Sequence, residues 1–281
     1  MLAVDAPPEA DMQKKTVWGL IDARPITFPA EVQDAAVALV AYDAPPDVAE
    51  ALGVGDRFAV EPGCDGTVPV TLMLADYRRA AWGASAHVSL SVPARPLLGG
   101  LDGPGAPDRA PARPLLCQSV TNTAFYDQAM YWALGVSGAL GSIVMAVLPD
   151  TVAVRVAVGR EHALTVTLPR PALAPVAAVP PPGAGDAEAY TCVGDRPRRV
   201  RFRMDVPPAE VDPAVVTVEP GTGPLADAVR SLQAAGPPTS CRWGERLALM
   251  IQEPHLLVDD APRPPTPGRA GPARLTGFHP S

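Results

Sequence analysis

Lysine is almost missing from this sequence. Two of its 281 residues are lysine, Lys14 and Lys15, against 21 arginines. Both lie near the N-terminus, so chemistry that needs an amine in the core has little to draw on. Aromatic residues make up only 5%. No uninterrupted apolar run reaches the ~18 residues of a membrane-spanning helix, and no membrane partner is expected. The cysteines, Cys64, Cys117, Cys192 and Cys241, are far apart without CxxC spacing. Free thiols are therefore expected, not a zinc site or disulfide framework. His162, His255 and His279 share no metal-ligand spacing, so no metal is expected. GxSxG, P-loop, HExxH and GxGxxG signatures are absent, which removes support for the common hydrolase, kinase, zincin and dinucleotide readings. No cofactor is expected.

Charge excludes a further class. The formal net charge is −7 with scattered basic residues, which argues against a nucleic-acid partner. The opening "MLAVDAPPEADMQKK" puts its charges after a short, Pro-broken apolar stretch, the reverse of a secretory signal. A cytoplasmic location is the expectation. The excess of Arg, Ala, Pro, Gly and Val is what GC-rich codons favour, which hints at a bacterial source.

What is present is mostly strand. "AVALVAY" (36–42), "VPVTLML" (68–74), "HVSLSV" (87–92), "MYWALGV" (130–136), "VAVRVAV" (152–158), "ALTVTL" (163–168), "RRVRFRM" (198–204), "AVVTV" (214–218) and "RLALMIQ" (246–252) are β-rich or alternating. Helices are expected at "PPDVAEAL", at "GALGSIVMAVL" (138–148) and at "GPLADAVRSLQAA" (223–235). The last has Leu225, Val229 and Leu232 on one face and Pro224 just inside its start. The pattern predicts an α+β fold, predominantly antiparallel β, with a closed barrel-like sheet and a few flanking helices. The stretches 93–116 and 169–189 are rich in Pro and Gly and read as surface loops. Residues 1–13 are expected to be a flexible N-terminus, 14–258 a single domain and 259–281 a disordered Pro-rich tail.

Few residues carry recognisable chemistry. Alternation puts His87, Ser89 and Ser91 on one face of their strand and Val88, Leu90 and Val92 on the other. In an open sheet that polar face would be wet; in a barrel it would line a polar lumen where an imidazole can move protons. "VAVGREH" sets Arg160, Glu161 and His162 together at a strand end, as a site or as an ordinary polar turn. Arg199, Arg201 and Arg203 share a face that could bind an anion or simply face solvent. Phe125, Tyr126, Tyr131 and Trp132 concentrate aromatics, as a pocket wall or as core.

"VPVTLMLADYRRAAWGASAHVSLSVPARP" (68–96) resembles the acetoacetate decarboxylase-like superfamily. Asp76-Tyr77 and Gly83 fit its strand, aspartate-aromatic pair, loop and glycine, and His87 stands where the family places a catalytic glutamate. Segments 37–60, 130–150 and 221–254 resemble the family's other pieces in their order. The resemblance implies a barrel with an internal cavity onto which His87 opens. It also implies a Schiff-base lysine, near Pro149-Asp150 in one register or Pro169-Arg170 in another, and neither offers an amine. Arginine stays protonated and cannot replace it.

The resulting expectation is a lysine-independent lyase, dehydratase or cyclase. It would act by acid–base catalysis on a carbonyl-bearing, polyketide-like small molecule in bacterial secondary metabolism. His87 would be the catalytic group, with Tyr126, Tyr131, Trp132, Arg160 and Glu161 binding substrate. A non-catalytic binding barrel, or a cyclase working by cavity shape alone, would use the same fold. A homo-oligomeric state is left open.

Overall fold

The structure is a computed structural model. It describes residues 15–97, 111–136, 138–171, 186–193, 196–205 and 208–257. Lys14, the expected flexible N-terminus, the Pro-rich tail and most of both Pro/Gly-rich stretches lie outside the described residues.

The chain starts with a hairpin of β1 (Thr16–Ile21) and β2 (Arg24–Phe28), then the long β3 (Ala30–Ala44) and a short helix α1 (Pro46–Glu50). β4 (Phe58–Val60), β5 (Val68–Ala80), β6 (Ser85–Pro96) and β7 (Arg113–Thr121) follow, then α2 (Ala124–Ala129), which runs into a π-helical turn at Met130–Leu134. Next come β8 (Gly138–Val147), β9 (Thr151–Val158), β10 (Glu161–Pro169), β11 (Asp186–Val193) and β12 (Arg196–Met204). β13 (Ala209–Val211), β14 (Thr217–Pro220), α3 (Pro224–Ala235), β15 (Ser240–Ile251) and β16 (His255–Leu256) complete it.

Seven strands close into a ring, β7–β11–β12–β15–β3–β5–β6 and back to β7. The expected closed, mostly antiparallel sheet is present. β7–β11 is the parallel exception within the ring. From β7 a second sheet departs, because its last residues Ser119–Thr121 pair in parallel with Gly138–Leu140 of β8. That sheet continues through β9 and β10 to β14.

Through much of their length β3, β5 and β6 are buried on both faces, which explains their near-continuous apolar runs. On β3, Ala36, Ala38, Val40 and Tyr42 face outward with Leu72, Leu74, Val88 and Leu90 of the neighbouring strands. They meet Val152, Val154 and Val156 of β9, Leu164, Val166 and Leu168 of β10, and Leu225, Val229 and Leu232 of α3. The alternate residues Ala35, Val37, Ala75 and Tyr77 turn to the barrel axis. There they pack with Ile21, Ile26 and Phe28 of the hairpin and with Tyr126, Met130, Ala133 and Leu134.

Two expected elements are exchanged. "MYWALGV" was expected as a strand and is the π-helical turn, ended by Gly135 in the left-handed region (φ 69°). An added Cβ there would run into the Cys192 carbonyl, so the turn needs glycine. "GALGSIVMAVL" was expected as a helix and is β8. "AVVTV" is a 3-10 turn, Pro213–Val215, followed by β14.

One polar contact ties the two layers together. Arg170, at the end of β10, reaches Glu245 of β15 with two hydrogen bonds, Nε to Oε2 at 3.0 Å and Nη2 to Oε1 at 3.1 Å. Glu245 is 7% exposed and Arg170 24%. Removing one partner strands the other in a partly desolvated place. Glu245→Ala should therefore lower stability by about 1–3 kcal/mol, read from the urea midpoint. A change below about 0.5 kcal/mol, the range of an ordinary surface substitution, would show the pair to be solvated.

Candidate functional site

His87 faces the barrel axis. Its register partners are Ala75 on β5 and Thr121 on β7. Directly opposed strand residues share a face, so the neighbouring rows on that inner face are Met73, Ser89, Ser119 and Tyr77, Ser85. His87 is 1% exposed, Ser89 and Thr121 are fully buried, and Ser85 and Ser119 nearly so. Neither ring nitrogen of His87 has a hydrogen-bond partner among the described residues, and neither do the hydroxyls of Ser85, Ser89 and Ser119.

Local structure brings a phenol over the imidazole. Asn122 locks the end of β7 to the start of β6, its Oδ1 accepting from the Ala86 N–H at 2.7 Å. Thr123 then caps α2, its Oγ1 accepting from the Tyr126 N–H at 3.3 Å. The helix thus starts beside His87, and the Tyr126 ring lies 5.8 Å from the imidazole. An aromatic string runs on from there. Tyr126 stands 5.7 Å from Tyr77 and 6.0 Å from Trp82, and Trp82 stands 5.3 Å from Phe28.

Burial sets the electrostatics. It pushes the His87 pKa down to about 4, so the imidazole is neutral at pH 7. Burial also raises both phenols, Tyr126 well above its ordinary value, and the two are hydrogen-bonded to each other. Asp127, on the next position of α2, has a carboxyl raised by burial and partly held down by the Thr121 hydroxyl. His87, Thr121 and Asp127 therefore form a short polar sequence from the barrel interior toward its rim. The site can offer a neutral imidazole, buried hydroxyls and two phenols to a ligand.

The other expected site residues are elsewhere. Tyr131 and Trp132 are 58% and 68% exposed, because the π-helical turn buries Met130, Ala133 and Leu134 instead. They do not form the expected wall with Tyr126. Arg160 and Glu161 are exposed at the β9–β10 turn, where Glu161 accepts a hydrogen bond from the Thr222 hydroxyl at 3.0 Å. This is the ordinary polar turn, away from His87. Arg201 and Arg203 lie on the outer face of β12 and pair with Glu188 at 2.9 Å and Asp186 at 3.5 Å. Asp76 is tied to Arg78 at 3.2 Å.

Both registers considered for a lysine are also outside the ring. Asp150 is exposed in the β8–β9 turn, and Arg170 is held by Glu245. Lys15 is on the surface, 3.5 Å from Glu31.

Several inner-face residues escaped the sequence reading. Ser119 and Thr121 flank the outward Val120, an alternation that "SVTNT" does contain. Asp127 had no such signal, since an acid in a helix's first turn is common. Arg198 is the fourth. It shares an inner face with Val200, donates from Nη1 to the Ala133 carbonyl at 2.8 Å, and lies 5.3 Å from the Trp18 ring. It props the π-helical turn.

No family model matches the sequence, and no curated protein matches it. Solved structures do. Acetoacetate decarboxylase from Legionella pneumophila aligns with a TM-score of 0.58 at 12% identity, over 82% of this chain and 87% of that one. The chain has the acetoacetate decarboxylase fold. An acetoacetate decarboxylase-like enzyme from Sphingomonas wittichii RW1 aligns with a TM-score of 0.54 at 12% identity, over 86% of this chain and 98% of that one. The enduracididine biosynthesis enzyme MppR, in a structure with HEPES bound, gives 0.51 at 13% identity over 83% and 88%. The sequence resemblance on 68–96 thus falls on β5, the Gly83 turn (φ 91°) and β6 of that fold.

Proposed function

We propose that this chain is an enzyme that takes a carbonyl-bearing, polyketide-like small molecule into its barrel. It acts there as a lyase, dehydratase or cyclase without a Schiff base. One observation carries the reading: an imidazole and three hydroxyls, buried on one inner face, have no partner among the described residues. Each such group costs about 1–3 kcal/mol when left unpaired. A ligand carrying carbonyl and hydroxyl groups supplies the missing acceptors and donors.

His87 is the proton-transfer group in this reading. Its neutral form accepts a proton from a carbon next to a carbonyl, or holds a leaving hydroxyl. With a pKa pushed down to about 4 it is a weak base in the free protein. Negative charge developing on the substrate favours the imidazolium and raises that value as the proton moves. Tyr126 and the serine and threonine hydroxyls position the carbonyl and stabilise the developing oxyanion. Asp127 orients Thr121. The depressed pKa also gives weight to a second reading, a binding barrel or shape-driven cyclase in which His87 only hydrogen-bonds.

The test is product analysis by mass spectrometry on a panel of synthetic poly-β-carbonyl compounds. Loss of water, loss of carbon dioxide or an isobaric product separates dehydratase, lyase and cyclase. Turnover that persists unchanged in His87→Ala would remove His87 from the mechanism. A parallel experiment addresses the lysine. Borohydride added with a β-keto acid should trap no covalent adduct, because Lys15 sits on the surface beside Glu31. An adduct on either lysine, with loss of activity, would overturn this.

A further inference from the structure

We propose that the outer face of β11 and β12 carries a second binding site, separate from the barrel interior, for a phosphate dianion, free or carried by a small molecule. Its side chains alternate along β12 with the inward Arg198 and Val200, so they point away from His87. The second sheet and α3 cover the outward residues of β3, β5 and β6. Among the described residues, Tyr190 is the only one of β11 and β12 buried in that outer core. The rest of the face is left as a cleft of about 800 Å³.

Strand register sets the chemistry of this cleft. Arg199, Arg201 and Arg203 share one face of β12 and stand opposite Tyr190, Glu188 and Asp186 of β11. Arg113 enters from β7. Glu188 accepts from Nε of Arg201 at 2.9 Å and from Nε of Arg113 at 3.2 Å, and Nη1 of Arg199 lies 3.7 Å away. Asp186 lies 3.5 Å from Nε of Arg203. Four guanidinium groups thus meet two carboxylates, a local excess of positive charge in a chain of net charge −7.

A solvated ion-pair network leaves that excess unexplained. Three of the guanidinium groups share the one Glu188 carboxylate, and the Nε of Arg199 is buried without a hydrogen-bond partner among the described residues. The carboxylates engage Arg201 and Arg203 at Nε, so the two terminal nitrogens of each have no hydrogen-bond partner among the described residues. Each pair of terminal nitrogens is a planar fork that matches two oxygens of an anion.

The spacing selects phosphate. Arg201 and Arg203 are two residues apart on one face, about 7 Å between Cα atoms, so their long side chains can converge on one group. A carboxylate fills one fork. A phosphate dianion has oxygens for both forks and the charge to balance the excess. Glu188 braces Arg201 and Arg113, whereas the Arg203–Asp186 pair, 63% and 60% exposed, is held weakly. Arg203 therefore turns to a ligand at little cost. Gln252 and His255 line the same cleft and add polar side chains, and its volume has room for an organic group on the phosphate.

The experiment follows the arginine Nε–H signals of the full chain by NMR during titration with phenyl phosphate or inorganic phosphate. It is run at low salt and about pH 7.5, where the phosphate is mostly dianionic. The proposal expects saturable shifts at Arg201 and Arg203 with both compounds. Tighter binding of phenyl phosphate assigns the site to an organic ester, and equal binding to free phosphate; either supports it. Arg201→Gln should weaken binding about 10-fold or more, the worth of hydrogen bonds to a charged group. Arg155→Gln, on the exposed face of β9, should leave it unchanged. Arg201→Lys separates a site from a diffuse positive surface, because lysine keeps the charge and lacks the fork. The site predicts a loss nearly as large as with glutamine. Wild-type affinity in Arg201→Lys, equal losses for Arg155→Gln and Arg201→Gln, or no saturation in the millimolar range overturns the proposal. Should Arg201→Gln not fold, Arg203→Gln takes its place with the same expectation.

Discussion

Replacing His87 with alanine lowers turnover by about 10²–10⁴-fold, the usual worth of a positioned proton-transfer group. The barrel stays folded, because an inner face already rich in small residues (Ala75, Ser89, Ser119) tolerates a shorter side chain. His87→Gln separates the two readings of the site. Glutamine keeps a donor and an acceptor but cannot take a proton. If His87 moves protons, the glutamine variant is nearly as slow as the alanine one. If His87 only hydrogen-bonds the ligand, glutamine recovers much of what alanine loses. Wild-type rates in both variants would remove His87 from the site.

His87 also makes the protein sensitive to acid. Its native pKa of about 4 lies below the ordinary value of 6.5 because burial disfavours the imidazolium. The unfolded chain thus takes up a proton first as the pH falls. Above pH 6.5 neither state is protonated there, and the group adds no slope. Between pH 6.5 and pH 4 the unfolded state gains, and this one residue removes about 3 kcal/mol of stability. His87→Gln has no such titration. The stability difference between the two proteins, from urea unfolding at pH 7 and pH 4, should shift by about 3 kcal/mol in favour of the variant at the lower pH. A constant difference would mean that water or a counter-charge reaches the ring.

Several features of this fold were open to a reader of the sequence, for identifiable reasons. The two-residue period of "HVSLSV" placed His87 with Ser89 and opposite Val88. It could not say which face was inside, because both are buried: Val88 meets the outer core and His87 the axis. Closure of the ring decides that, and periodicity does not report it. α3 was legible because its apolar residues follow a helical period and Pro224 marks its start. β8 was misread as helix because its outward residues Leu140, Val144 and Leu148 are as apolar as its inward ones, so the alternation disappears. "MYWALGV" was misread because its aromatic, β-prone residues are the exposed ones, and its fold is dictated by Gly135 and by packing of Met130 and Leu134. The β1–β2 hairpin escaped because it turns on Asp22 and Ala23, both at positive φ, with no glycine to announce it. Tyr126 was reachable as one of four clustered aromatics. That it alone of the proposed binding residues meets His87 depends on where the Thr123 cap starts α2.

The central claim is that the unpartnered polar atoms on the barrel's inner face are a ligand site built around His87. A crystal structure of the protein with a compound that it turns over, or with its product, tests this most directly. The account predicts density inside the ring, with a carbonyl or hydroxyl oxygen within hydrogen-bond distance of a His87 ring nitrogen and of at least one of Ser89, Ser119 and Thr121. Density for the compound on the outer face of β11 and β12, with the surroundings of His87 unaltered, would contradict it.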